Sequence, residues 1–136
     1  MRITLPPARW IRVACLLAFA LVLAQLFFLA EPPLVRELKN FMWDKSLHAM
    51  AFGSFALLLW FGVGYDHPIG NWLAIGAVAA LDEFHQIFIP TRTADILDVV
   101  ADMVGAAIMT FILHRLSHPR ASKTTIATDP IAQTGD

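Results

Sequence analysis

Hydrophobic and polar positions fall in blocks along the chain, with four apolar segments separated by short polar stretches. The segments cover about residues 10–30, 44–63, 71–89 and 96–113. A helix needs about 20 residues to cross the hydrocarbon core of a bilayer. The pattern therefore predicts an all-α integral membrane bundle of four transmembrane helices over residues 1–116. The small and polar residues of 117–136 predict a disordered cytoplasmic tail.

The first segment has a second interpretation, as a cleaved signal peptide. Arg2, Arg9 and Arg12 precede or open it, and Val22-Leu23-Ala24 is a weak cleavage triplet. Its apolar run is longer than the roughly 7–15 residues of a signal-peptide core, so a retained helix is favoured.

Composition narrows the class of protein. Of 136 residues, 57% are hydrophobic and 15% are charged, whereas soluble domains carry roughly a quarter charged residues. A net charge of -1 argues against a nucleic-acid partner, which needs a basic face. The single cysteine, Cys15, excludes an internal disulfide framework and a thiolate zinc cage. We expect no cofactor and no bound metal.

The polar residues of the last three segments are predicted to meet at one membrane face. They lie at the start of the second segment, the end of the third and the start of the fourth, and successive spans alternate in direction. Basic residues favour both termini in the cytoplasm, which places this polar face outside. Six basic residues flank the terminal side (Arg2, Arg9, Arg12, Arg115, Arg120, Lys123) and four the other (Arg36, Lys39, Lys45, Arg92).

Three motifs supply the candidate site, each with spacings of three or four that share a helical face. They are Asp44, Lys45 and His48; Asp82, Glu83 and Gln86; and Asp95, Asp98 and Asp102. An ionised side chain at the bilayer centre costs about 2.5–3.5 kcal/mol, so embedded acids need a partner or a wet cavity. The six acids outnumber Lys45 and Arg92. Either some carboxyls are protonated, or His48 and His85 are charged, or a cation or cationic substrate binds there.

These residues have both functional and structural interpretations. The functional one makes Glu83, Asp82 and His48 general acids or bases. The ligand-binding residues are then Lys45, Arg92, Gln86, Asp44, Asp95, Asp98 and Asp102. The structural alternatives are a helix N-cap for Asp95, a lysine that extends to the interface for Lys45, a loop clamp for Arg92 and a helix-packing hydrogen bond for His48.

Two further features predict packing and anchoring. Ala101 and Gly105 form a small-xxx-small pair that lets helices approach closely. The four tryptophans lie near segment ends and are expected to anchor at the membrane interface. They are Trp10, Trp43, Trp60 and Trp72.

The three motifs together resemble the VanZ-like family of small bacterial membrane proteins. The motifs are D-K-x-x-H from Asp44, D-E-x-x-Q-x-F-x-P-x-R from Asp82 and D-x-x-D-x-x-x-D-x-x-G from Asp95. The similarity covers about residues 29–113. Thr91 stands where the family usually has Gly, and Asp102 where it usually has Asn.

This resemblance implies a multi-pass, four-helix protein of the bacterial cytoplasmic membrane. The founding member of the family is associated with low-level resistance to teicoplanin-type glycopeptide antibiotics. No biochemical activity follows from the motifs, so a resistance role here is an expectation that the resemblance alone carries.

Three functions remain as hypotheses. The first is binding or modification of an amphipathic envelope molecule, with a membrane lipid or a lipid-linked envelope precursor as the partner. The second is an intramembrane acid/base enzyme that acts on a lipid head group. The third is a small ion-coupled transporter, since acids inside spans also mark ion pathways. The sequence leaves the oligomeric state open.

Overall fold

The computed structural model describes residues 8–28, 33–64, 67–89 and 94–118, and every regular element in these ranges is an α-helix. The helices are α1 (Arg9–Phe28), α2 (Pro33–Phe41), α3 (Asp44–Val63), α4 (Pro68–Gln86) and α5 (Ile96–Ser117). The predicted all-α fold is confirmed. Beyond His118, the predicted tail lies outside the described residues.

Three of the helices, α1, α3 and α5, are long and apolar enough to cross a membrane. α4 is 19 residues long and ends in a polar turn that carries Asp82, Glu83 and Gln86. It packs against both α3 and α5, and α1 packs mainly against α3. The bundle therefore has α3 at its centre.

Local signals fix the ends of two helices and their direction. Asp95 caps α5, because its side chain accepts a hydrogen bond of 2.9 Å from the Leu97 amide. Arg12, near the start of α1, donates to the carbonyls of Gly62 and Val63 at the end of α3. These carbonyls have no partner within their own helix, so the arginine satisfies them. α1 and α3 therefore run in opposite directions.

Small residues bring α3 and α5 together at their backbones. A Cβ atom added to Gly105 would fall on the carbonyl group of Ala49, and one added to Gly53 would lie 3.3 Å from the Gly105 oxygen. This contact confirms the predicted packing role of Gly105. Below it lies the buried core of Phe52, Phe55, Ala56, Ile75, Ala79 and Ala106.

The structure corrects several local predictions. α2 was not predicted, and it begins at Pro33, where the fixed φ of proline suits a first helical turn. For the same reason α4 begins at Pro68 rather than Asn71, and it ends at Gln86 rather than Ile89.

Two tryptophans were also misplaced by the sequence pattern. Trp10 and Trp43 are exposed, as interfacial anchors would be, but Trp60 is 1% exposed. Trp72 is half-buried, and its indole N–H donates to the Met103 carbonyl at 3.1 Å. Proximity to a segment end did not reveal that these two rings face the bundle.

Candidate binding site at the acidic end of the bundle

The polar ends of α3, α4 and α5 meet at one end of the bundle, which we call the acidic cluster. It contains Asp44, Lys45, His48, Asp82, Glu83, Gln86, Asp95, Asp98 and Asp102. The contacts join the start of α3 to the end of α4 and the start of α5. This is the arrangement that alternating helix directions predict.

Lys45 is the main ionic tie between α3 and α5. Its ammonium group donates to Asp95 at 2.5 Å and also to Asp98. The side chain therefore turns into the bundle instead of extending to the interface. Together with the Leu97 amide, the hydrogen bond from Lys45 holds the pKa of Asp95 below its usual value of 3.8.

His48 lies one turn deeper, between two aspartates of α5. Its Nδ1 is 3.0 Å from an Asp102 carboxylate oxygen, and its Nε2 is 3.6 Å from Asp98. Asp102 is only 2% exposed. Because a carboxylate accepts hydrogen bonds and cannot donate them, His48 Nδ1 carries the proton when Asp102 is ionised.

α4 contributes two further interactions. Glu83 accepts a hydrogen bond from the backbone N–H of Asp95, which ties the end of α4 to the start of α5. Gln86 donates to Asp82 at 2.9 Å, and both side chains are buried. In the described residues Glu83 thus acts as a structural clamp on the residue that caps α5.

A cavity of about 100 Å³ adjoins the cluster and is lined by residues of α1, α2, α3 and α4. Its polar lining comes from Lys39, Asp44, His48 and Asp82. Its apolar lining comes from Leu26, Leu47, Ala51, Phe52 and Phe55. The walls are therefore amphipathic, with charge on one side and hydrocarbon on the other.

A family comparison identifies the family of the chain. The VanZ/LLP1 family profile matches residues 3–117, which include every residue of the acidic cluster. The chain belongs to the VanZ/LLP1 family. With its three long apolar helices, it is a membrane protein. No curated protein and no solved structure matches the chain.

The cluster of this VanZ/LLP1 protein carries more acid than base. Its six carboxyl groups face Lys45 within the cluster and Lys39 at the cavity. Lys39 itself lies 4.0 Å from Asp44. His48 is the one further group of the cluster that can become cationic. Three of the six carboxyls, those of Asp82, Asp98 and Asp102, are buried. An acid surplus at these positions needs protons, water or a cationic ligand group, because buried unpaired charge is costly.

Asp44, His48 and Asp98 are placed so that they could hold a metal ion. One ligand atom from each lies within 4.8 Å of the others. However, Asp98 already accepts from Lys45, and the Asp44 carboxylate lies beside Lys39. Two lysines beside these carboxylates compete with a cation electrostatically. The absence of a metal stays a prediction.

One predicted site residue, Arg92, lies outside the described residues, so its assignment as ligand reader or loop clamp stays a prediction. The sequence analysis places Lys39 only among the basic residues that flank the segments, and the structure places it at the cavity. Its position on α2 follows from the helix that begins at Pro33.

Sequence analysis also missed a second buried polar group, at the opposite end of the bundle. Asn71 of α4 donates to the Thr110 hydroxyl at 3.0 Å and to the Ala56 carbonyl at 3.2 Å. Nearby, the Trp60 ring stands edge-on to His114 at 6.5 Å. We call the three uncharged side chains Asn71, Thr110 and Trp60 the neutral end. A single polar residue in an apolar segment does not reveal from sequence that it forms buried hydrogen bonds between helices.

Proposed function

We propose that this VanZ/LLP1 protein binds or modifies a lipid-linked or amphipathic molecule of the bacterial cell envelope at the acidic cluster. The observation that carries the proposal is the cavity beside the cluster, where Asp44, His48 and Asp82 face Phe52 and Phe55. A ligand with a polar head and a hydrocarbon body matches both kinds of wall.

The membrane placement is part of the proposal. α4 is the fourth span, the protein is in the bacterial cytoplasmic membrane, and both termini are cytoplasmic. The larger number of basic residues on the terminal side supports this orientation. The acidic cluster then opens toward the extracytoplasmic leaflet, where envelope precursors are used.

The surplus of acid in the cluster favours a ligand whose head group bears a cationic or hydrogen-bond-donating group. Carboxylates accept hydrogen bonds and repel anions. Lys39, which lies 4.0 Å from Asp44, gives one side of the cavity lining a positive charge beside which one anionic group can lie. A head group that carries both an amine and a phosphate or carboxylate fits this distribution.

A cavity-filling variant tests the proposal in cells. Ala51 lines the cavity and is exposed on the α3 surface, so Ala51→Phe adds a ring there without entering the core. Ala77→Phe, on an exposed position of α4, is the matched control. Both are introduced into a strain that lacks the native gene, and envelope lipids, peptidoglycan precursors and sensitivity to teicoplanin are measured.

We expect deletion to change at least one of these profiles. Wild type and Ala77→Phe should restore the profile, and Ala51→Phe should fail to do so. An unchanged lipid and precursor profile with unaltered antibiotic sensitivity would remove the proposal. A changed precursor profile with normal sensitivity would keep the binding role and discard the resistance link.

Acid/base catalysis on the bound molecule is a second candidate, favoured by the His48–Asp102 pair. A histidine that lines a cavity and is oriented by a buried carboxylate has the geometry of a general base. Glu83 is the weaker candidate base, because it is engaged with a backbone amide. Purified protein is incubated with envelope lipid extracts, and products are compared for wild type, His48→Gln and Glu83→Gln.

Catalysis by His48 predicts a product that disappears in His48→Gln and persists in Glu83→Gln. Identical lipid profiles for all three proteins would leave binding as the function. Transport is the least supported hypothesis. Among the described residues, the apolar core that includes Phe52, Ile75 and Ala106 lies between the acidic cluster and the neutral end.

A further inference from the structure

An apolar groove runs along the outer surface between α3 and α5, on the face of α3 opposite the cavity. It has two connected parts of about 350 and 360 Å³, which share Ala49. Its floor is made of small residues, namely Ala49, Gly53, Ala101 and Gly105. Its rim includes the exposed side chains of Met50, Val100, Val104 and Ile108.

The length of the groove along the helix axis is close to the thickness of one membrane leaflet. Its lining on α3 extends from Trp43 to Ser54, which corresponds to about 17 Å at the rise of an α-helix. Half of a hydrocarbon core of about 30 Å is about 15 Å. The length of the lining therefore matches an acyl chain that lies within one leaflet.

The hydroxyl groups that line the groove need no hydrogen bonds from a ligand. The Ser46 hydroxyl donates to the Trp43 carbonyl, and the Ser54 hydroxyl donates to the Met50 carbonyl. The two hydroxyls of the lining are therefore satisfied within α3. A saturated hydrocarbon chain meets this requirement, and a polar ligand would leave its own groups unpaired.

Charge at the open end of the groove selects the head group. Lys45 lies there, and it is bound by two carboxylates, Asp95 and Asp98. With both acids ionised this group carries a net negative charge, which repels an anionic head group. The exposed indole of Trp43 stands at the same end, where tryptophans contact lipid head groups.

We infer that the α3–α5 groove binds one acyl chain of a phospholipid with a zwitterionic head group, from the leaflet that faces the acidic cluster. This site is separate from the cavity proposed above, because the two lie on opposite faces of α3. It depends on the membrane placement proposed for the bundle and not on the identity of the cavity ligand.

Photolabelling of the full chain tests the inference first. The protein is reconstituted in vesicles that contain phosphatidylethanolamine with a diazirine at mid-chain, irradiated, and mapped by peptide mass spectrometry. We expect adducts concentrated on Met50, Ile108 and Met109 of the groove. Adducts spread evenly over the exposed faces of α1 and α4 would overturn the inference.

Native mass spectrometry of two groove-filling variants tests it independently. Ala101→Phe fills the part near Lys45, and Ser54→Phe fills the deep part from an exposed position. Retention of phosphatidylethanolamine should fall about tenfold in either variant, since a phenyl ring displaces two or more buried methylene groups. Ala74→Phe, on an exposed position of α4, should retain lipid like wild type.

Each result of this experiment has a distinct meaning. Equal lipid retention in all folded variants would overturn the groove as a lipid site. Loss of a dimer in Ala101→Phe would instead identify the groove as an interface with a second copy. Ala51→Phe, which fills the cavity, should leave this lipid bound, so failure of the cavity proposal would not mimic failure of this one.

Discussion

The two ends of the bundle bury polar side chains in different ways. At the neutral end, Asn71 bridges α3 and α5 with uncharged hydrogen bonds to a carbonyl and a hydroxyl. At the acidic cluster, the same helices are joined by ionisable side chains, through Lys45 with Asp98 and through His48 with Asp102. Neutral hydrogen bonds suffice to hold helices together in a membrane. The acidic cluster therefore uses ionisable groups where uncharged ones would hold the helices together, although burying ions is costly.

The largest expected difference between the two ends appears when one member of the His48–Asp102 pair is removed. His48→Leu leaves Asp102 buried without its partner, and we expect the free energy of unfolding to fall by about 2–3 kcal/mol. Unfolding in mixed micelles, followed by circular dichroism, measures the change. The double variant His48→Leu with Asp102→Leu should recover most of the loss. A single variant as stable as wild type would mean that the pair is not formed.

The close contact of α3 and α5 holds together the two helices that contribute to both ends of the bundle. Gly105→Ala would place a methyl group on the Ala49 carbonyl, so the two helices must separate. We expect a loss of about 1–3 kcal/mol, as for overpacking. Gly70→Ala is the control, because its added Cβ would meet only His67 Cβ at an ordinary distance of 3.4 Å. Equal stability of the two variants would contradict the backbone contact.

The neutral end should respond less than the acidic cluster. Asn71→Ala removes the hydrogen bonds to Thr110 and Ala56, and we expect a cost of about 0.6–1 kcal/mol, as for hydrogen bonds between helices of membrane proteins. The same unfolding assay applies. A cost larger than that of His48→Leu would reverse the comparison between the two ends.

The smallest expected effect is a pH dependence at the start of α5. The pKa of Asp95 is lower in the folded protein than its usual 3.8, so its contribution to stability is complete above that value. The contribution is lost as the pH falls through the lower folded pKa, when the Lys45 hydrogen bond is weakened. Unfolding measured between about pH 5 and pH 2 should show this loss. Asp95→Asn keeps an N-cap but should remove that part of the pH dependence.

The location of the acidic cluster could be predicted from the sequence, but its pairings could not. Motif position and alternating helix direction place Lys45, Asp82 and Asp98 at one end without any tertiary information. Which acid meets which base depends on the rotation and register of α3 against α5. The Gly53–Gly105 contact sets that register, and no periodicity reports it.

The sequence alone also did not predict the contact of Glu83 or the presence of α2. The sequence made Glu83 a candidate acid or base because it lies inside an apolar segment. Its bond to the Asp95 amide arises only when the end of α4 approaches the start of α5. α2 is nine residues long, too short to give a segment signal, although Pro33 marks its start.

The central proposal is that the cavity binds an amphipathic envelope molecule. It is tested most directly by identifying the molecules that are extracted from the membrane together with the protein. Wild type, Ala51→Phe and Ala77→Phe are extracted in mild detergent, and their bound molecules are identified by mass spectrometry. We predict an amphipathic envelope molecule with wild type and Ala77→Phe that is reduced about tenfold with Ala51→Phe. The same bound molecules in equal amounts on all three proteins would contradict the proposal.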